Sequence, residues 1–515
     1  MSLPKPKLKI GRPSAAWGLP AFMALASGSA TAQSLDKAID SFFSSAFGWF
    51  VNLIFYSVPV GGTSFPVIAG WLLVAALIFT LYFGFPQFTR FKLAIDLVRG
   101  RYTDPHSREP GETSHFQALA TALSGTVGLG NIAGVGAALA IGGPGATFWM
   151  IVVGLLGMAS KFTECTLGVK YRTILPSGAV SGGPMYYLRD GLAERGLPNL
   201  GKVLAVMFSV LVILGALGGG NMFQSNQANA MIVQTFNLPG GYGWVVGLTF
   251  AVFVFAVIIG GMPSIASVTE KLVPWMAYLY IGMSMTVIIL NIDQFPAAMS
   301  AIFHGAFSAE GVAGGFLGAL IQGLKRATFS NEAGVGSAAI AHSTVKTKEP
   351  VTEGLVSLLE PFIDTVIICT MTALVITIAG LNTGPFPTPG GLSGVNLTAA
   401  SFQATFDWFR YPLTIAVVMF AVSTMISWAY YGLKGWTYLF GEGKTIELVY
   451  KLMFCFFVVV GASISFGAVI DFSDAAIFAM SIVNIIGLYL LAPVVKLEYQ
   501  KFMAKVQSGA FKRYR

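Results

Sequence analysis

The chain has 515 residues, of which 55% are hydrophobic and only 10% are charged. A soluble domain carries about 25% charged residues, so this composition excludes a soluble protein and indicates a polytopic helical membrane protein. The net charge of +8 comes from basic residues that lie between apolar segments. Basic residues in that position mark membrane topology, and they give no reason to expect a nucleic-acid partner.

Residues 1–32 have the order of a secretory signal peptide. Four basic residues precede an apolar run at 15–26, and Ala30-Thr-Ala32 fits a cleavage site. We expect cleavage there, which would leave the mature amino terminus outside the cell; an uncleaved anchor is the alternative. Residues 33–66 would then form a periplasmic or interfacial segment, in which 35–58 suits an interfacial helix.

Apolar segments long enough to cross a bilayer fill most of the remaining chain. Residues 67–112 contain a leading transmembrane helix, at about 67–89, and a basic loop that we expect on the cytoplasmic side. A basic tail, residues 497–515, is also predicted to be cytoplasmic. The other predicted spans are 117–142, 146–170, 201–236, 243–261, 272–291, 313–341, 354–380, 411–433, 447–468 and 474–495.

An internal repeat relates two of these segments. Asn131-Ile-Ala-Gly-Val-Gly-Ala-Ala138 recurs 200 positions later as Asn331-Glu-Ala-Gly-Val-Gly-Ser-Ala338, and Glu164 is matched by Asp364. The pattern predicts two five-helix repeats, residues 113–292 and 313–496. Because five is odd, the repeats must be inserted in opposite orientations, which is the arrangement of inverted-repeat transporters. The predicted fold is therefore all-α, with about 11 transmembrane helices, a 5+5 inverted repeat and one leading helix.

The first repeat contains a glycine-rich break at Gly125–Gly136. Each glycine costs about 1 kcal/mol relative to alanine inside a helix, so the cluster favours an unwound turn. Such a turn survives at membrane depth only where it lines a cavity or is covered by protein. It would free backbone groups for a ligand, and Thr126 and Asn131 add neutral oxygens that suit a hard cation such as Na⁺. Tight helix packing is the alternative interpretation.

The second break is more polar than a membrane span should be. Lys325, Arg326 and Glu332 lie within one bilayer-length segment, where ionisable residues must face a cavity or a partner. Arg326 and Glu332 are candidates to pair with each other, or with Glu164 or Asp364. A buried network that holds the break open and a direct role in substrate binding are equally supported.

Three more clusters are candidates for the same cavity. Gln224 and Asn226 lie in a long span and offer amides to a polar solute. Ser423 and Thr424 offer hydroxyl groups to a cation, although hydroxyls in a helix often bond to their own backbone. Trp428 is a candidate to close a small pocket, although aromatic residues near a membrane boundary are common.

The chain resembles the alanine or glycine:cation symporter family, the sodium:alanine symporters of bacteria, over about residues 60–500. The motifs that carry the resemblance are His115-Phe-Gln-Ala, Gly130-Asn-Ile-Ala-Gly134, Gly182-Gly-Pro-Met-Tyr186, Phe329-Ser-Asn-Glu-Ala-Gly334 and Ser427-Trp-Ala-Tyr-Tyr-Gly432. This resemblance implies the leucine-transporter fold and Na⁺-coupled uptake of alanine, glycine or a similar small neutral amino acid. It also implies that carbonyl groups of the first break and the hydroxyls of Ser423 and Thr424 hold one sodium ion.

The candidate site residues follow from the patterns and the resemblance together. The candidate sodium ligands are Ser124, Val127, Asn131, Ser423 and Thr424. The candidate substrate-binding residues are Thr126, Gly128, Leu129, Gly130, Gln224, Asn226, Thr328, Phe329, Ser330 and Trp428. Within this set, the amides of Leu129 and Gly130 would receive the substrate carboxylate, and the carbonyls of Thr328 to Ser330 would receive its ammonium group.

The function expected from these residues is Na⁺-coupled symport of alanine or glycine by alternating access, in the bacterial inner membrane. The main alternative is a proton-coupled transporter of the same fold, with Glu164, Glu332 or Asp364 carrying the proton; a channel is less favoured. No nucleophile–base pair or metal motif for an enzyme is present in the sequence. Beyond Na⁺, the amino acid and membrane lipid, we expect no organic cofactor and no obligatory protein partner.

Overall fold

A computed structural model gives the fold of this chain. It describes residues 45–104, 110–175, 178–239, 241–308, 315–383 and 391–514. The expected signal peptide, 1–32, lies outside the described residues. Of the predicted interfacial helix, 35–58, the structure shows helix Ser45–Ile54. The hairpin that follows it pairs strand Ser57–Val60 with strand Thr63–Pro66, and it was not predicted from the sequence.

The described part of the chain is mostly helical, because long apolar runs satisfy their backbone groups internally only as helices. The α-helices before the second broken helix are Val67–Tyr82, Pro86–Thr89, Phe91–Val98, His115–Thr126, Val135–Gly142, Ala146–Lys170, Pro184–Tyr186, Leu192–Glu194, Pro198–Leu217, Phe223–Phe236, Gly243–Ile258, Gly261–Leu290 and Phe295–Phe307. Those that follow are Gly315–Asn331, Ala338–His342, Pro350–Val356, Leu359–Pro361, Thr370–Thr383, Gly394–Gln403, Arg410–Phe440, Lys444–Ser463 and Phe466–Gln507.

Several of these helices are joined by π-helical or 3-10 turns. The π-helical segments are Gly130–Gly134, Tyr187–Gly191, Gly218–Met222 and Phe362–Cys369, and the 3-10 turns are Ile292–Gln294 and Asp407–Phe409. A second small antiparallel pair joins Thr173–Ile174 to Val180–Ser181. π-Helical turns often occur at functional sites, and here three of the four lie within long apolar segments.

Among the described residues, seven helices are long and apolar enough to cross a membrane, or eight if the bent pair His115–Thr126 and Gly130–Gly142 is one span. Helices Val67–Tyr82 and Gly243–Ile258 have 16 residues each, fewer than the roughly 20 that a span usually needs. The chain is therefore a multi-pass membrane protein. The count of eleven helices and the inverted repeat remain predictions.

Helix Arg410–Phe440 lies at the centre of the molecule. It is buried along most of its length and packs on helix Pro198–Leu217, on helix His115–Thr126 and on helix Gly261–Leu290. At the periphery, helix Gly243–Ile258 packs on helix Lys444–Ser463. Large side chains face outward from the peripheral helices, a surface that suits a bilayer better than water: Trp244, Trp275 and Tyr278 are exposed.

Two interrupted helices pack against each other near the centre. The first broken helix comprises His115–Thr126, Gly130–Gly134 and Val135–Gly142; the second comprises Gly315–Asn331 and Ala338–His342. The residues before the first broken helix lie beside the residues after the second broken helix, because Thr113 forms an isolated β-bridge with Val345. The start of one broken helix is thus next to the end of the other, and both breaks lie in the interior.

Candidate functional site

The first broken helix unwinds immediately after Thr126. Val127 takes a non-helical conformation, with φ −77° and ψ 81°, and the two α-helical parts are bent by 48°. The Asn131 side chain fills the break, because its Oδ1 accepts a hydrogen bond from the Gly128 N–H at 2.9 Å. The next amide, the N–H of Leu129, donates to Gln224 Oε1 at 3.0 Å. The predicted unwound turn is therefore present, and side-chain oxygens cover two of its amides.

The second broken helix unwinds at Glu332. Its φ is +56°, and the following Gly334 and Gly336 have φ values of +89° and +93°. A left-handed conformation is strained for a residue with a Cβ and is normally kept only where the surroundings hold it. The Glu332 carboxylate is held by two donors, Ser337 Oγ and Trp428 Nε1.

Asp364 links the two breaks. One of its carboxylate oxygens accepts from Asn131 Nδ2 at 2.6 Å, and the other accepts from Ser330 Oγ at 2.8 Å and from Thr365 Oγ1 at 2.7 Å. Asn131 belongs to the first break and Ser330 to the second, while Asp364 lies on the π-helical segment Phe362–Cys369. One buried carboxylate therefore bonds to both breaks.

The structure brings together three of the candidate sodium ligands. Thr424 Oγ1 donates to the Ser124 carbonyl oxygen at 3.0 Å, and Ser124 Oγ donates to the Ser423 carbonyl oxygen at 2.7 Å. All three residues are buried, and the oxygens they offer are neutral, as a hard monovalent cation prefers. Gly128 lies against Thr424 so closely that a Cβ at this position would overlap Thr424 Oγ1.

The other two candidate sodium ligands, Val127 and Asn131, do not share a hydrogen bond with this group. Val127 is buried at the break. The Asn131 amide oxygen accepts from Gly128, and its amide nitrogen donates to Asp364, so its polar atoms connect the breaks in this structure. The Ser423 hydroxyl donates to the Phe420 carbonyl of its own helix at 3.0 Å, as expected for a hydroxyl that bonds to its own backbone.

A small cavity lies between the two breaks. The space inside it, about 10 Å³, has room for about one water molecule, so an amino acid would fit only if the walls moved apart. Its walls come from both broken helices, from the π-helical turn Gly218–Met222 and from helix Arg410–Phe440. The candidate substrate residues that line it are Thr126, Gly130, Gln224, Phe329 and Trp428, and the Glu332 carboxylate lines it as well.

The remaining candidate substrate residues lie elsewhere. Asn226 does not line the cavity: its Nδ2 donates to the carbonyls of Gly461 and Ile464, which ties two helices together. The Thr328 carbonyl accepts from the Glu332 N–H at 2.9 Å. The hydroxyl of Ser330 points at Asp364. The structure thus gives these three residues partners within the protein.

The charged residues of the second break have partners that the sequence did not indicate. Arg326 forms a buried ion pair with Asp474 and lies over the ring of Phe329, at 5.2 Å from its centroid. The expectation that Arg326 pairs with Glu332, Glu164 or Asp364 was therefore wrong. Lys325 lies 4.1 Å from the centroid of the Phe55 ring. These contacts support a structural role for both cations beside the cavity.

Glu164 is buried away from Arg326. Its Oε1 accepts from Asn484 Nδ2 at 2.9 Å, and its Oε2 has no hydrogen-bond partner among the described residues. Asn484 also donates to the Gly334 carbonyl at 3.0 Å and accepts from the Tyr187 hydroxyl. The Asn484 amide therefore connects this carboxylate to the second break.

A buried ionic chain, which the sequence analysis missed, runs from helix Ala146–Lys170 to the ends of the broken helices. Lys161 Nζ contacts Glu360 at 3.2 Å, and Glu360 contacts His342 Nε2 at 2.6 Å. Glu353 then bonds to both His342 and His115. The only sequence signal was the position of the two histidines, one at the start of the first broken helix and one at the end of the second.

The start of the first broken helix and the end of the second, which the buried ionic chain joins, also share backbone hydrogen bonds. We call residues 110–113, residues 343–347 and Arg172 the clamp. The Thr113 N–H donates to the Thr344 carbonyl at 3.1 Å, and the Thr113 carbonyl accepts from the Lys346 N–H at 2.8 Å. The Arg172 guanidinium donates to carbonyls on both segments, among them those of Pro110 and Val345. The clamp therefore joins the start of one broken helix to the end of the other.

Comparison with known proteins extends this description. The sequence model of the sodium:alanine symporter family matches residues 52–515. A relative named sodium/alanine symporter AgcS, from Methanococcus maripaludis, is 42% identical over 432 residues, which cover 84% of this chain and 93% of the relative. A Bacillus subtilis protein named "Probable sodium/glutamine symporter GlnT" is 35% identical over 441 residues, covering 85% of this chain and 89% of that protein.

Among solved structures, the crystal structure of MhsT in complex with L-phenylalanine is similar. Its TM-score is 0.53, and the match covers 76% of this chain and 98% of MhsT at 15% sequence identity. At this identity the likeness shows the fold alone, which is the leucine-transporter fold. The expected fold is confirmed at this level, as a mostly helical membrane protein.

Proposed function

This chain belongs to the sodium:alanine symporter family, and on that premise we propose that it takes up alanine, glycine or both with Na⁺ by alternating access. Na⁺-coupled amino-acid symport is what the family and its relatives support. The choice of alanine and glycine, the transport cycle and the bacterial inner membrane as its location are our proposals. One observation carries them: a small cavity between two helix breaks adjoins a cluster of buried neutral oxygens.

The residues around the cavity support a small substrate. Phe329 and Trp428 provide two of its walls, and glycines at 130 and 219 provide others. We propose that the substrate carboxylate binds at the amides of Leu129 and Gly130, and that Gln224 gives up its hydrogen bond to Leu129 when it does. Breaking one hydrogen bond between neutral groups costs about 1 kcal/mol, and the charged carboxylate replaces it with a stronger bond.

The cluster of neutral oxygens supports sodium binding at Ser124, Val127, Ser423 and Thr424. An ion there would replace the hydrogen bond from Thr424 to the Ser124 carbonyl and would order the end of helix His115–Thr126. The same break carries Leu129 and Gly130, so ion binding would shape the carboxylate site. Coupling of this kind is reciprocal and typically amounts to about 1–3 kcal/mol.

The connections between the breaks support a joint movement during transport. Asp364 ties the first break to the second, and the clamp ties their ends. We propose that the two broken helices move together with helix Ala146–Lys170 and helix Pro350–Val356 against the rest of the molecule. We further propose that the clamp and the carboxy terminus lie in the cytoplasm, which the basic residues that follow the spans support.

Uptake of radiolabelled alanine and glycine into proteoliposomes tests this proposal. We expect accumulation against a concentration gradient when a Na⁺ gradient is imposed, and none when Na⁺ is equal on both sides. A saturable rate would distinguish a transporter from a channel. Absence of accumulation of both amino acids would contradict the proposed substrates.

A proton-coupled transporter is the second candidate function, and the Glu164 carboxylate favours it. One oxygen of this buried carboxylate has no partner among the described residues, so a protonated form would be less costly to bury. Glu332 and Asp364 are also buried near the breaks. Accumulation driven by a pH gradient without Na⁺ would support this candidate and contradict sodium coupling.

A further inference from the structure

The Trp428 indole ring is held on three sides at the edge of the cavity. Its Nε1 donates to Glu332 Oε1 at 3.0 Å and to the Gly125 carbonyl at 3.2 Å. Gly220 lies against the ring so closely that a Cβ at this position would overlap it. The side chain is 1% exposed, so its orientation is set by these contacts and by packing. One contact comes from each break and the third from the turn Gly218–Met222.

Glu332 has the geometry of a residue that positions another. Its Oε1 accepts from Trp428, and its Oε2 accepts from Ser337 Oγ. Both oxygens therefore already have a donor within the protein. Glu332 also keeps a left-handed backbone, which among the described residues occurs at only two other non-glycine positions, Phe85 and Asn237. The fold maintains a strained conformation at the position from which this carboxylate reaches the indole.

We propose that Glu332 and Gly220 determine the size limit of the substrate by fixing the Trp428 indole as a cavity wall. This proposal rests on the proposed function, since it assigns the specificity of the same cavity. Glu332 acts as a positioning residue: its carboxylate fixes the ring, and the ring meets the substrate side chain. Because Gly220 has no Cβ, the ring packs directly on its backbone and does not extend further into the cavity.

The competing roles for Glu332 predict different results. A direct ligand of the substrate ammonium group would affect all amino acids equally, because every one carries that group. A proton carrier would affect the driving ion and leave relative rates for substrates of different size unchanged. A positioning residue changes the ratio between small and larger substrates. One methylene group in a fitted apolar pocket is worth about 10–200-fold in discrimination, so the ratio is a sensitive readout.

The test measures kcat/KM for Na⁺-driven uptake of alanine, 2-aminobutyrate and valine in proteoliposomes. Glu332→Ala removes the acceptor for the indole, and we expect the preference for alanine over valine to fall about tenfold or more. Glu332→Gln retains an amide oxygen for Trp428 Nε1, so we expect it to restore the preference. A fall of the same size in all three substrates would overturn the proposal.

A double-mutant cycle separates positioning from general damage to the cavity. Trp428→Phe keeps an aromatic ring but lacks the Nε1 donor, so it releases the ring from Glu332 without removing a carboxylate. If Glu332 acts through Trp428, adding Glu332→Ala to Trp428→Phe produces little further change in the substrate ratio. Independent, multiplicative changes in the ratio would contradict the proposed link. If Glu332→Ala fails to reach the membrane, Trp428→Phe still tests the proposal.

Gly220→Ala tests whether moving the indole towards the cavity lowers the size limit of the substrate. The added methyl would push the indole towards the cavity, so we expect uptake of alanine to fall more than uptake of glycine. Gly282→Ala is the matched control, because a Cβ at this position meets no atom within 4 Å. An equal loss for both substrates in Gly220→Ala would overturn the role of this glycine. Failure of the proposed function itself looks different, since the unmodified protein would then transport neither amino acid.

Discussion

The hydroxyl groups of Ser423 and Thr424 differ in their partners although they are neighbours in one helix. Ser423 Oγ bonds to its own helix, at the Phe420 carbonyl, whereas Thr424 Oγ1 crosses to the Ser124 carbonyl. A hydroxyl that bonds within its helix is ordinary, but one that reaches an unwound turn offers an oxygen to a ligand. Thr424 is therefore the better candidate of the two for holding the coupling ion.

Replacement of Thr424 by alanine tests this assignment. Removing one protein oxygen that contacts a charged ligand weakens binding by about 1.5–3 kcal/mol. We therefore expect the Na⁺ concentration for half-maximal alanine uptake to rise on the order of ten- to hundredfold. The measurement is the Na⁺ dependence of uptake in proteoliposomes. Thr377→Ala is the matched control, because Thr377 is also buried but bonds within its own helix, to the Ala373 carbonyl.

An unchanged sodium dependence in Thr424→Ala, with normal abundance of the protein, would remove Thr424 from the ion site. A similar change in Thr377→Ala would show that loss of any buried hydroxyl perturbs transport. Only the difference between the two variants supports a ligand role, since both remove the same atoms from a buried helix.

At the scale of the elements, the glycines of the first break have different surroundings. Gly128 lies against Thr424 and Gln224, and an added Cβ would overlap the Thr424 hydroxyl and lie 3.1 Å from Gln224 Oε1. Gly134 has room, because its nearest neighbour for an added Cβ is Arg326 Cδ at 3.6 Å. Close approach of the backbone to a functional group thus accounts for Gly128, while Gly134 has no such constraint.

The pair Gly128→Ala and Gly134→Ala tests this difference within one element. We expect Gly128→Ala to abolish Na⁺-driven uptake, because the methyl group displaces the Thr424 hydroxyl. We expect Gly134→Ala to retain uptake and to stabilise its turn by up to about 1 kcal/mol. Uptake rates and thermal unfolding of the two purified variants are the measurements. Equal rates in both variants would contradict the proposed contact between the first break and Thr424.

At the scale of the whole molecule, the clamp and the buried ionic chain join the ends of the two broken helices. The contacts between these ends include backbone hydrogen bonds from Thr113 to residues 344 and 346, and the Glu353 carboxylate, which bonds to both His115 and His342. Removing one partner from a buried ion pair costs about 3–5 kcal/mol, so separating these ends during transport would be expensive. A transport cycle in which the two ends stay together avoids that cost.

Cross-linking across the clamp tests whether the ends stay together. The side-chain oxygens of Thr113 and Thr344 lie 2.9 Å apart, so Thr113→Cys with Thr344→Cys places two thiols side by side. We expect the oxidised double variant to retain Na⁺-driven uptake, because the cross-link joins parts that move as one. Each single cysteine variant is the control for the substitution alone. Inhibition on oxidation that is reversed by a reductant would show that these ends must separate.

Much of the architecture was predictable because it depends on local properties of the chain. Hydropathy identified a multi-pass membrane protein, and the glycine cluster at Gly125–Gly136 located the first break. The motifs around Asn131 and Ser330 supported the family and its fold. The hairpin at 57–66 was missed, because short strands beside a long apolar run carry little pattern of their own.

The sequence by itself therefore determined the membrane class, the two breaks and the types of residue available for an ion and a small solute. Only the tertiary structure decided which polar groups meet. Gln224 accepts from the Leu129 amide, Arg326 pairs with Asp474 rather than Glu332, and Asn226 turns away from the cavity. Hydropathy and glycine content are properties of one segment and can be read from its sequence. Hydrogen-bond partners depend on how the helices pack, because packing brings residues that are distant in the chain close together.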